Sequence, residues 1–152
     1  IGVKTCVEAG IGATLSLRIG GKCGPASGDP LDVVATVRAF RAGHDQQGLG
    51  PARSPMGDAV WIEVNGIDVV LMSTRTQVFA PDAFTGLGID LKNKRFIALK
   101  SSWHFEALFG PMADRIIPVA TPGAIQMDFA AIDYRKKRDQ HFFPRKPNPL
   151  GL

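Results

Sequence analysis

Asn65-Gly66 falls between two runs of alternating apolar residues in the stretch AVWIEVNGIDVVLM. A two-residue connection between paired strands wants positive φ at both central positions, and Asn-Gly supplies this at low steric cost. The stretch therefore predicts a type I′ hairpin, which commits this part of the chain to antiparallel pairing. The second arm, Ile67 to Met72, is almost wholly apolar after Asp68. That pattern predicts a strand lying centrally in its sheet.

Two further strands follow from period-two patterning upstream. ATLSLRIG alternates apolar and polar residues and is broken by Gly20-Gly21 and Gly24-Pro25. From Pro30, PLDVVATVRAFRAG alternates over Val33, Ala35 and Val37, and its last part, Arg38 to Gly43, is expected to run into a loop. KTCVEAG before them reads as the end of a helix stopped by Gly10 and Gly12, as glycine C-terminal stops predict. Residues 43–58, GHDQQGLGPARSPMGD, hold four Gly and two Pro and read as a long surface loop or mobile flap.

Past the hairpin the texture changes. APDAFTGLGID predicts a short helix started by Pro81-Asp82. KRFIALK predicts a buried strand, and DRIIPVATPG another. Between them SSWHFEALFGPMA places Phe105, Leu108, Phe109 and Met112 at helical spacing. A strand, a helix and a strand in that order imply a right-handed crossover and a parallel pair. The expected class is α+β: a mixed sheet with an antiparallel, hairpin-rich first half and a strand-helix-strand second half. The expected organisation is one domain over 1–123 and a basic, Pro-containing tail over 124–152.

A chain of 152 residues buries a core without metal or disulfide staples. Ile1 opens inside the helical remnant, so the sequence reads as part of something longer. No apolar run is long enough to cross a bilayer as a helix, and no membrane partner is expected. The net charge of +4 is uneven: residues 134–147 carry six basic residues and one acid, leaving 12 basic and 13 acidic elsewhere. A basic tail can meet nucleic acid, but the body lacks a basic stripe with interleaved aromatics, which argues against that partner. Cys6 and Cys23 form no CxxC. A disulfide between them stays open, with two thiols in a reducing, cytoplasmic setting the expected state.

The densest group of reactive side chains is Lys100, Ser101, Ser102 and His104, where a predicted strand meets a predicted helix. Ser101 or Ser102 suits an N-cap, and Glu106 suits the first turn. The functional reading is that N–H groups at the helix start, with Lys100, Ser101 and His104, hold a carboxylate or phosphate or polarise a carbonyl. Ser101 and His104 as nucleophile and base lack a G-x-S-x-G elbow. Arg75, at the end of a buried strand, is expected to face the same crevice. Lys22, in GGKCGP, marks a tight turn with some capacity for anions, without P-loop spacing. His44, His104 and His141 are scattered, and no metal-ligand motif joins them. No metal site is expected in the chain.

GATLSLRIGGKCGP, GIDVVLMSTRTQVFAPDAFTGLGID and above all KSSWHFEALFGPMADRIIPVATPG resemble the carboxy-terminal domain of the MlrC family of microcystinase-type zinc metallopeptidases. The resemblance runs in order from about Gly10 to Gly123. Cys23 stands where the family more often has a small residue such as Ser. The resemblance implies that the zinc ligands lie in a larger amino-terminal domain absent from this chain, and that this domain is its partner. It also implies hydrolysis of a peptide or small amide by the parent, with Lys100, Ser101 and His104 facing an interdomain cleft. The alternative is a non-catalytic module that binds a small anion at the Lys100–His104 junction. Oligomeric state stays open, a homo-oligomer included.

Overall fold

The computed structural model describes residues 2–22, 24–101, 103–119, 121 and 128–136. The chain divides into two compact units: Ile1–Ile19 with Pro30–Ile117, and Gly20–Asp29 with Pro118–Leu152. The expected boundary at 123/124, Ser102, Cys23, His141 and most of the basic tail fall outside the described residues. In the second unit the described elements are short 3-10 turns at Pro25–Ser27 and Phe129–Ala131. The Asp128 carboxylate accepts from the N–H groups of Ala130 and Ala131.

The first unit is built on four antiparallel strands in the order β1 (Thr14–Ile19), β2 (Leu31–Gln47), β3 (Arg53–Val64) and β4 (Ile67–Met72). Asn65 and Gly66 have φ of 50° and 80°, as the hairpin requires. Val64 pairs with Ile67, Ile62 with Val69 and Val60 with Leu71. One face of the sheet buries Leu17, Ala35, Val37, Val60 and Ile62 against Val3 and Cys6 of helix α1 (Gly2–Ala9). Val3 and Cys6 are three residues apart and share a helix face. Gly10 ends the helix at φ +86°, its N–H donating to the carbonyl of Cys6. The Cys6 thiol is free and wholly buried, and burial pushes its pKa up.

The other face of β3–β4 presents Trp61 and its cross-strand partner Val70 to Ile89, Leu91 and Phe109. These come from the irregular chain after β4, with α2 (Asp82–Thr85) and α3 (Glu106–Phe109) as single helical turns. Val69, Leu71 and Val70 therefore pack on two different faces. That explains the near-continuous apolar run in β4. It does not make β4 central: among the described residues it is the end strand of the sheet.

The α+β class stands, and three further details differ from the sequence reading. Residues 43–58 are mostly not a loop: β2 runs to Gln47 and β3 starts at Arg53. The glycines serve as irregularities within the ladder, with Gly43 at φ +55° and Gly57 at φ +70° beside register shifts around His44. Bulges consume glycine because it alone takes these angles freely. Second, the expected helix over 101–113 is reduced to α3 and a 3-10 turn at Gly110–Met112. Trp103 has φ +62°, outside helical space, and Pro111 has no N–H to continue the ladder. Third, segments 95–100 and 115–119 belong to no strand among the described residues. Only the antiparallel half of the expected mixed sheet has a ladder there.

Candidate functional site

Two groups of polar side chains in the first unit are organised by β2 beyond its bulge. Alternation there buries His44 (2% exposed) and Gln46 (0%) and turns Asp45 and Gln47 away. Buried amides need partners, and Gln46 finds them in the chain after β4. Its Oε1 accepts from the N–H of Phe79 at 3.0 Å and of Ala80 at 3.2 Å, and its Nε2 donates to the Gln77 carbonyl at 2.7 Å. Residues 77–80 are thereby fastened to the sheet without joining it.

That fastened segment receives the 100–104 junction. Ser101 Oγ donates to Gln77 Oε1 at 3.1 Å, and the His104 ring stands edge-on to Phe79, centroids 6.5 Å apart and planes at 85°. Lys100 is exposed next to Ser101, and Arg75 is exposed two residues before Gln77. Ser101 and His104 are thus held on one short stretch of chain. Lys22 belongs to the second unit. Ser101 does not cap α3, whose first flanking residue is Phe105 in helical conformation with no side-chain cap bond. With its hydrogen given to Gln77, the Ser101 oxygen keeps lone pairs for an incoming N–H donor, beside the ammonium of Lys100.

The second group lines a polar depression of about 220 Å³ formed by Arg41, His44, Asp45, Arg53, Asp82, Thr85 and Gly86. Arg53 spans it, donating to Asp82 Oδ2 at 2.7 Å and to Asp45 Oδ1 at 2.6 Å. The pairing holds the Asp45 carboxyl below the usual carboxylate range and raises the Arg53 guanidinium. Asp82 also accepts from the N–H of Gln47, and Arg41 Nη1 donates to the Gly86 carbonyl. His44 Nε2 donates to the Ala83 carbonyl at 3.1 Å, while its buried Nδ1 has no partner among the described residues. The charged groups here are matched to one another, which suits anchoring α2 to β2 better than holding a ligand.

Neither Gln46, Gln77 nor the Arg53 network follows from motif spacing. HDQQ is polar at all four positions, so no alternation along the chain marked His44 and Gln46 as interior. Among the described residues no three His, Cys, Asp or Glu side chains converge as a metal-binding set, and no helix is long and apolar enough to span a membrane.

Residues 2–136 match the family model described as MlrC C-terminus. Microcystinase C of Sphingomonas sp is 37% identical over 147 residues, 97% of this chain and 28% of that protein. A solved structure from Mesorhizobium sp. BNC1, described as a candidate metallopeptidase, matches with TM-score 0.70 and 26% identity. The match covers 80% of this chain and 25% of that one. The chain thus spans under a third of the length of these relatives.

Proposed function

Because this chain belongs to the MlrC C-terminus family, we propose that it is the carboxy-terminal accessory part of a metallopeptidase-like hydrolase. The observation that carries this reading is the match to Microcystinase C along 97% of the chain, supported by the fold shared with the candidate metallopeptidase. In this reading the parent is a cytoplasmic zinc enzyme acting on a peptide or small amide. The zinc ligands in this reading belong to the amino-terminal portion of the parent; among the described residues no three His, Cys, Asp or Glu side chains converge. Zinc supplies Lewis-acid activation of water and carbonyl when bound.

The role of this chain is to shape the substrate side of the cleft. Lys100 offers a cation to a substrate carboxylate, Ser101 an oxygen oriented by Gln77, and His104 a ring steadied on Phe79. Arg75 extends the same basic margin. The small-anion module is the weaker alternative, since α3 is a single turn without a side-chain cap and so has little dipole to offer.

The test is hydrolysis of a linear peptide by the full-length protein, comparing wild type with His104→Ala and Lys100→Ala. Zinc content and melting temperature are read on the same samples. Activity lost at constant zinc and stability supports the cleft role. Unchanged kcat/KM in both variants removes these residues from the site, and a parent that hydrolyses nothing with zinc loaded removes the hydrolase reading.

A further inference from the structure

Residues 95–100, RFIALK, keep a strand's burial pattern without a strand's partners. Ile97 and Leu99 are half-buried and pack on the Ile89–Leu91–Phe109 cluster, while Phe96, Ala98 and Lys100 face outward. Side chains alternating between two sides are the signature of extended chain. Yet among the described residues no backbone ladder includes this segment. Phe96 is 77% exposed under the Arg95 guanidinium, and Trp103, at a left-handed φ of 62°, is 67% exposed. Phe96 stands on this segment and Trp103 just beyond it, and the N–H and C=O groups of 95–100 have no backbone partner among the described residues; such an edge is one that natural proteins normally cover or blunt.

We propose that residues 95–100 are a docking edge, completed as a strand by an extended segment from the amino-terminal portion of the full-length protein, with Phe96 and Trp103 buried in that contact. This inference rests on the accessory-domain reading above. The occupant is argued from two observations. The chain covers only 28% of Microcystinase C and 25% of the solved relative, so most of such a protein is available to cover the edge. Charge then argues against a second copy of this chain. In antiparallel self-pairing centred on Ile97 and Ala98, Arg95 of each copy would lie opposite Lys100 of the other, and like charges directly opposite are destabilising. The complementary partner is a segment with an apolar centre and a carboxylate opposite Arg95, which leaves Lys100 to the substrate side. Main-chain bonds supply affinity in such strand addition, and alternate side chains supply specificity. Each aromatic brings about 150–250 Å² to an intrachain interface of typically about 600–1,500 Å².

The experiment uses the full-length protein with p-benzoylphenylalanine at position 96, irradiated at low concentration and mapped by peptide mass spectrometry, with backbone hydrogen exchange followed on the wild type. The expected result is intramolecular cross-linking to residues that precede this chain, and slow exchange at 96–99. Cross-links confined to residues 1–152, cross-linked dimers, or fast exchange at 96–99 each overturn the proposal. Neither readout needs hydrolysis. An inactive parent that cross-links as expected keeps the docking edge, and an active parent that does not keeps only the hydrolase reading.

Discussion

Nε2 of Gln46, a fully buried strand residue, donates to the main-chain oxygen of Gln77 at 2.7 Å. The side chain of that same Gln77 accepts from Ser101. One amide in the sheet therefore reaches the candidate site through one intermediate residue.

Replacing Gln46 by Leu should be costly beyond its size. The N–H groups of Phe79 and Ala80 lose their acceptor while both residues remain buried. Each unsatisfied buried group costs about 1–3 kcal/mol, so a loss of about 2–6 kcal/mol is expected, read as a lower urea midpoint at unchanged m. Faster backbone exchange over 77–80 than in the wild type would accompany it. A midpoint within experimental error of wild type would show that Gln46 does not fasten this segment.

Gly86 lets α2 approach the His44 ring. A Cβ there would stand 2.6 Å from His44 Cε1 and 2.7 Å from the Asp82 carbonyl oxygen. Gly86→Ala is expected to destabilise by about 1–3 kcal/mol through overpacking. Gly50 has nothing within 4 Å of such a Cβ, and Gly50→Ala should stay within about 0.5 kcal/mol of wild type. Thermal unfolding of the two variants side by side checks the difference.

The Arg53–Asp45 pair gives stability a defined acid limb. Arg53 lowers the Asp45 pKa in the folded state. Its contribution is therefore present above the unfolded carboxyl value of about 3.9 and is lost as the pH falls through the lower folded value. Asp45→Asn should flatten that limb and lower stability at neutral pH. Because the pair is exposed, the effect should shrink in high salt. Urea midpoints measured across acid and neutral pH, at low and high salt, test the sign directly.

How much of this was legible depends on the range over which each feature is decided. The 65–66 turn is set by two adjacent residues whose φ preferences are their own, and the Val33–Ala35–Val37 alternation needs only its own strand. Both were readable. The reach of β2 and β3 into 43–58 was not, because glycine in a bulge and glycine in a loop look alike until a partner strand shows the ladder continuing on either side. The 100–104 residues were found as a composition of useful groups. Their actual support, Gln77 and Phe79, came from 24 and 25 positions away and left no local mark.

The sequence by itself determined the antiparallel hairpin, the apolar faces and the α+β class, because periodicity and turn preference act over a few residues. Only the tertiary structure decided that His44 and Gln46 are interior. It also decided that β4 closes the sheet among the described residues, and that RFIALK packs Ile97 and Leu99 on the core without a ladder among those residues. Those outcomes depend on which distant backbone groups become hydrogen-bond partners, and a pattern along the chain carries no record of that choice.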